Sequence, residues 1–320
     1  MKIRKVIRVN VLNIVVWAVF FIIWAAGMSS NVYWSVTRQL LTMIFMTFGL
    51  MIQMISGVLD LSFAAEISAS TCIGACLLRT GMPLAPAMAA VLVCHLGLGA
   101  LKGFLVASLR VNPVIITLAL QIIVSNLSGL FTGDHMVIFN RKDVYASHAF
   151  WLSLFVLAVV SSLFLCFFLK RTYYGKYLRM LGENPAAVRE SGLNHTAIRM
   201  IISMAASVFY GIAAMILLFI TSSGSSSNGS HYLYPVIAAA CMGGISFLNG
   251  RGKVFGAWLG TLSAVMFMHI IVILGIQSSF ETILEGLIII ISILLAVKTE
   301  NSPLKSENPL IESLGTTGYH

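Results

Sequence analysis

The sequence predicts an all-α polytopic membrane protein of about ten transmembrane helices, with both termini cytoplasmic. Three observations predict it. Of 320 residues, 58% are hydrophobic and only 10% charged, whereas a water-soluble domain carries roughly a quarter charged residues. The apolar residues fall in long continuous runs without strand-like alternation, and a spanning helix needs about 20 of them. In lipid every backbone N–H and C=O must be paired internally, which allows a helix or a closed barrel; continuous runs select helices. The positive charge is also lopsided. With ten passes and a cytoplasmic N-terminus, the inner gaps and termini hold fifteen Lys and Arg residues, and the outer gaps hold four: Arg38, Arg79, Arg141 and Lys142. That is the positive-inside pattern, and omitting one segment would reverse every later loop.

The first run, Val9 to about Met28, follows a basic N-terminus. It is long for a signal-peptide core and lacks a clean cleavage site, so it reads as a retained helix. The others cover about 38–56, 62–80, 84–108, 113–132, 149–169, 198–221, 234–248, 254–275 and 280–298. The short segment 234–248 reads as re-entrant or broken. Five helices per half is compatible with an inverted repeat. Residues 1–298 form the transmembrane domain, and 299–320, polar with two prolines, a flexible cytoplasmic tail. The gap Lys170–Arg199 is the longest cytoplasmic one and dense in charge. Thr221–His231 reads as an external, flexible, uncharged loop.

Composition excludes several functions. The net charge of +9 orients helices; no Lys/Arg run is interleaved with aromatics as nucleic-acid binding requires. The five cysteines lie in apolar segments, and no His or carboxylate completes a metal set. No G-x-x-x-x-G-K-[ST] pattern occurs, so no cofactor is expected in this chain. Any ATP would be hydrolysed by a partner subunit. Paired catalytic carboxylates and Ser/His sets are missing too, which argues against an embedded enzyme.

Three constellations stand out. In Gly182–Asn194, Asn184 suits a helix N-cap, Pro185 the first helical position and Gly192 the left-handed stop. A helix of about two turns follows from that, either a solvated surface helix or one that docks into a partner's groove. In Gly57–Ser62, Asp60 interrupts an apolar stretch, either capping the next helix through its dipole or meeting a ligand. In Gly243–Gly260, the first glycines permit tight bends, and Gly252, Gly256 and Gly260 form a small-xxx-small stripe. Glu66, Lys102 and Glu285 fall within spans, where an unpaired charge costs at least about 2.5–3.5 kcal/mol. Lys102 reads as snorkelling toward the cytoplasmic end of its helix.

Together these segments, from about Leu40 to Val297, resemble the ribose-type permease subunits of bacterial ATP-binding-cassette importers. Gly57-Val58-Leu59-Asp60-Leu61-Ser62 is similar to the family's Gly-Gly-Ile-Asp-Leu-Ser. Leu109-Arg110-Val111-Asn112-Pro113 with Thr117-Leu118 is similar to its Leu-Arg-Val-Pro-Pro…Thr-Leu. Arg189, Ser191, Gly192 and Asn194 match its Ala-Arg-Leu-Ser-Gly-Ile-Asn, and Gly243, Gly244, Ser246, Gly250 and Gly252 its Gly-Gly-Thr-Ser…Gly-Gly-x-Gly. The chain departs at Ser125-Asn126, where Arg-Gly is common, at Glu66, at Ile245, and at Glu285, where Lys is common.

The resemblance implies a bacterial inner-membrane subunit forming the path for a small polar solute, a sugar or sugar-like compound. It implies three partners: a cytoplasmic ATPase, a second permease subunit in a homo- or heterodimer, and an extracytoplasmic solute-binding protein. It assigns ATPase coupling to Glu183, Asn184, Ala187, Arg189, Ser191 and Gly192. Asp60, Ser62, Glu66, Asn126 and Ser246 are placed on the translocation path. The alternative is an ion-coupled secondary transporter with a 5+5 inverted repeat and Glu66 as coupling carboxylate.

Overall fold

The computed structural model describes residues 13–22, 30–109, 111–139, 148–184, 188, 194–246 and 250–300. Among these the chain is helical nearly throughout. The helices are α1 Asn13–Ile22, α2 Ser30–Ile55, α3 Phe63–Arg79, α4 Leu84–Ser108, α5 Pro113–Thr132, α6 His148–Arg171, α7 Tyr173–Glu183, α8 His195–Thr221, α9 Leu233–Met242, α10 Val254–Ile273 and α11 Ser278–Glu300. Two short strands, β1 Val137–Ile138 and β2 Ser223–Gly224, pair antiparallel. Six of the helices (α2, α4, α5, α6, α8 and α10) are long and apolar enough to cross a membrane. Every predicted apolar segment contains a helix.

Local chemistry sets the ends. Asn112 Oδ1 accepts from Val114 N at 3.0 Å with Pro113 in the first turn, and Asn194 Oδ1 accepts from Ala197 N at 3.0 Å. Both are side-chain N-caps before long apolar runs. Thr172 separates α6 from α7 by accepting from Gly175 N at 3.1 Å.

The core centres on α2, which is buried almost without interruption from Leu41 to Ile55. Phe48 meets Phe209 of α8 and Trp258 of α10 edge-on, with centroids 5.9 and 6.2 Å apart. Helix α8 also packs along α4 and α3. By contrast α5 and α6 expose Ile122, Leu130, Phe131, Val160, Leu163 and Phe164, an apolar exterior suited to lipid rather than water.

Four expectations change. Helix α9 covers only the first part of 234–248 and stops at Gly243 and Gly244, after which Ser246 bridges to Arg251. In the glycine stripe, Gly256 abuts Gly243 and Gly260 abuts Ala239, backbone against backbone, but Gly252 precedes α10 and packs on Ile55. Within the Lys170–Arg199 gap, α7 is an additional helix. Tyr177, Leu178 and Leu181 are its buried face, and that spacing after a capping threonine is the signal for it. The last helix runs to Glu300, past the expected boundary at 298; the rest of the tail lies outside the described residues.

Candidate functional site

The α2–α3 turn carries the main polar site. Gly57 has φ 82°, a left-handed conformation that glycine adopts without steric cost. It lets the chain reverse and present Asp60. Asp60 Oδ1 accepts from Ser62 N at 3.0 Å, and the Ser62 hydroxyl lies 2.7 Å from both Asp60 Oδ1 and Glu66 Oε1. Ser62 takes the N-cap position of α3 without a side-chain cap bond. Asp60 thus sits just ahead of the helix, where its charge is favoured by the dipole.

Lys102 of α4 completes the cluster. Its ammonium donates to Asp60 Oδ2 and Glu66 Oε1, both at 2.6 Å, and to Ser62 Oγ at 3.3 Å. Three donors therefore meet three acceptors. Lys102 and Asp60 are 0% exposed and Glu66 is 2% exposed, so snorkelling is replaced by a buried ion triad. The Lys102 ammonium also lies 5.2 Å from the Tyr210 ring, which stacks on Phe63 at 5.4 Å. The cluster binds α3, α4 and α8 together. His95 Nδ1 approaches the outer Glu66 oxygen at 4.0 Å.

A backbone junction lies on the far side of the same turn. A side-chain carbon on Gly182, at the end of α7, would collide with Ile55 O and lie 2.6 Å from Gly250 Cα; one on Gly57 would lie 3.3 Å from Gly182 Cα. Three chain segments meet there with no side chain between them. Gly250 has φ 59°. Arg199 reinforces the region, donating from Nη1 to Ser56 O at 2.8 Å and Ser56 Oγ at 3.0 Å. Glu183 and Asn184 emerge exposed just past the junction. Asn184 closes α7, its N–H donating to Met180 O at 2.8 Å. Val188 is helical and buried; Ala187, Arg189, Ser191 and Gly192 lie outside the described residues.

The expected path residues do not form one group. Asp60, Ser62 and Glu66 converge. Asn126 is exposed on α5 and donates to Ile122 O at 2.8 Å. Ser246 is held in the bridge to Arg251, its N–H 2.8 Å from Arg251 O. Of the motif glycines, Gly57 and Gly250 face the junction, Gly243 faces Gly256, Gly252 faces Ile55, and Gly244 makes the bend after α9 with φ 69°. Sequence reading missed Lys102 as the cluster's cation, and Tyr210 and His95 as its walls. An ionisable residue that must be paired in lipid was the available signal, but the partner's identity depends on helix packing.

Two further polar features lie along α2 and α3. A cavity of about 450 Å³ is lined by Trp34, Ser35, Arg38, Gln39, Thr42, Ile220 and Tyr232. The Arg38 guanidinium sits 5.4 Å from the Trp34 ring and 5.2 Å from the Trp151 ring, a cation–π arrangement. Beside it, Thr221–His231 is an ordered strap rather than a flexible loop. Gly229 N donates to Ser68 Oγ at 2.8 Å, and Asn228 Nδ2 donates to Ser223 O at 2.9 Å and Thr71 Oγ1 at 3.3 Å.

Helix content, apolar exterior and buried ion cluster define a multi-pass helical membrane protein. Residues 32–293 match the family model described as the permease component of the branched-chain amino acid transport system, and the chain belongs to that family. It is similar to the ribose import permease of Escherichia coli K12, at 24% identity over 278 residues, covering 84% of this chain and 87% of the relative. The ribose import permease of Haemophilus influenzae is 26% identical over 254 residues, covering 75% and 77%. The galactose/methyl galactoside import permease of Salmonella typhimurium is 27% identical over 261 residues, covering 74% and 77%. No solved structure matches. The chain is a multi-pass inner-membrane permease component.

Proposed function

We propose that this permease is the membrane path of an ATP-driven importer for a small polar solute, a sugar or sugar-like compound. The relatives that import ribose and galactosides support the solute class. On this reading the chain carries no ATPase site or cofactor, and a cytoplasmic ATP-binding-cassette subunit supplies the energy. An extracytoplasmic binding protein delivers solute. The chain crosses the membrane ten times, the segments that hold α1, α3, α9 and α11 crossing beside α2, α4, α5, α6, α8 and α10, with α9 as the helical part of a broken crossing, and both termini lie in the cytoplasm.

The observation that carries the coupling is the junction of Gly57, Gly182 and Gly250. A segment leaving α7 at Glu183 and Asn184 can be pushed by a partner only if α7 itself transmits the push. Backbone contact without intervening side chains is stiff, so displacement of α7 reaches the turn that holds Asp60, and through Lys102 reaches α4. Glu183, Asn184, Ala187, Arg189, Ser191 and Gly192 form the ATPase-facing element. Asn126 has a different role. An amide exposed on an apolar span is costly in lipid, and a second permease subunit or the aqueous path covers that face. Nothing in the fold or the relatives favours the ion-coupled alternative.

The test is co-purification from membranes with the partner ATPase. Arg189→Glu and Gly192→Asp should leave the chain in the membrane but abolish ATPase association and uptake. Normal recovery of the ATPase by both variants would refute the docking role.

A further inference from the structure

We propose that Ser225–His231 is a re-entrant strap whose outward face forms a wall of the solute path, presenting hydroxyl and imidazole groups to a neutral polyhydroxylated solute. The inference rests on the permease reading and adds residues to it.

Depth is the first argument. A side-chain carbon on Gly224 would strike Thr71 O of α3, and one on Gly229 would strike Ala64 O. Gly229 N is also bonded to Ser68 Oγ at 2.8 Å. Ser68 and Ala64 lie roughly 16–22 Å along α3 from Arg79, at 1.5 Å per residue. The strap therefore descends beside most of α3, whose outer end Arg79 marks.

Polarity is the second. Non-helical backbone at membrane depth is tolerated only inside protein or along a water-filled cavity. The side toward α3 is protein: Gly229 is buried there, and Asn228 is bonded to Thr71. On the other side Ser227, Ser230 and His231 are exposed. The strap's turns pair much of its backbone internally, but in lipid the exposed side chains would lose their hydrogen bonds to water, at a cost of several kcal/mol each. Water or solute on that face satisfies them. The strap carries no carboxylate, lysine or arginine, so its chemistry suits a neutral solute rich in hydroxyls.

The strap also leads into the cavity described above. Tyr232 follows it directly and lines that space with Trp34 and Arg38. A solute released at the outer face would pass the cavity and then the strap.

The test is thiol labelling of the full-length chain in native membranes, with the unmodified protein as blank. Single variants Ser227→Cys and Ser230→Cys would be treated from outside with a small anionic methanethiosulfonate and, separately, with a bulky polyethylene-glycol maleimide. Thr80→Cys serves as an outer-loop control and Leu163→Cys, on the apolar exterior of α6, as a lipid-facing control. The strap positions should react with the small reagent and not the bulky one, Thr80→Cys with both, and Leu163→Cys with neither. Reaction of the strap positions with both reagents would make the segment an open external loop. Reaction with neither would seal it in protein or lipid. Either result overturns the proposal. Labelling needs only the folded chain in its membrane, so the outcome is independent of whether the ATPase docks.

Discussion

At the scale of single residues, the arithmetic of charge in the buried cluster makes distinct predictions. Asp60 and Glu66 share one cation, Lys102, with both contacts at 2.6 Å. Removing one partner of a buried ion pair typically costs about 3–5 kcal/mol, because the remaining charge is left uncompensated. Lys102→Met strands two carboxylates and should fall in that range or abolish assembly. Glu66→Gln leaves the neutral Asp60–Lys102 pair intact and should cost about 1.5–3 kcal/mol, the value of one charge-assisted hydrogen bond. Thermal unfolding of the detergent-solubilised variants measures both, and the predicted order is Lys102→Met below Glu66→Gln. Equal losses would mean that Glu66, and not Asp60, is the essential counter-ion. The sequence showed that Glu66 and Lys102 fall in apolar runs where an unpaired charge is costly, yet there Lys102 reads as a snorkelling side chain rather than as a partner. It did not show that the two were each other's partners, because α3 and α4 are brought into register by packing.

At the scale of elements, close backbone approach decides what can change. Gly260 abuts Ala239, and Gly256 abuts Gly243. Gly260→Leu would force α9 from α10, and overpacking of this kind costs typically about 1–3 kcal/mol and occasionally more; limited proteolysis in membranes should show a looser protein. At the junction, Gly182→Val should separate α7 from the α2–α3 turn. It should lower uptake while the amount of ATPase recovered with the permease stays near normal, because the ATPase-facing residues themselves are unchanged. Loss of both together would indicate that α7 is needed for folding rather than transmission. The long helices were legible in the sequence because apolar length alone specifies them. The shorter ones were harder to read. Helix α7 is amphipathic with a mixed composition; the spacing of Tyr177, Leu178 and Leu181 after Thr172 marks its buried face, but the contact of Gly182 with Ile55 and Gly250 is made only by packing. The strap reads as a polar loop, since serine and glycine runs look alike whether they sit in solvent or against a helix.

At the scale of the whole molecule, a membrane path without its own engine is the consistent reading. The family match over residues 32–293 places the chain among permease components, and the spacing of apolar segments already pointed to a polytopic membrane protein. The proposed direction of the bundle rests on the charge bias alone, because lysine and arginine resist translocation. The solute was not legible, since the exposed groups of the strap and the Arg38 cavity come together only in three dimensions.

Energy coupling is the central claim, and uptake by reconstituted vesicles tests it most directly. Vesicles containing this chain alone, and vesicles containing it with its ATPase and binding protein, would be given radiolabelled ribose or galactose under ATP or under an imposed ion gradient. Uptake is predicted only in the complete assembly with ATP inside the cytoplasmic compartment. Uptake by the chain alone, driven by the ion gradient, would contradict the account.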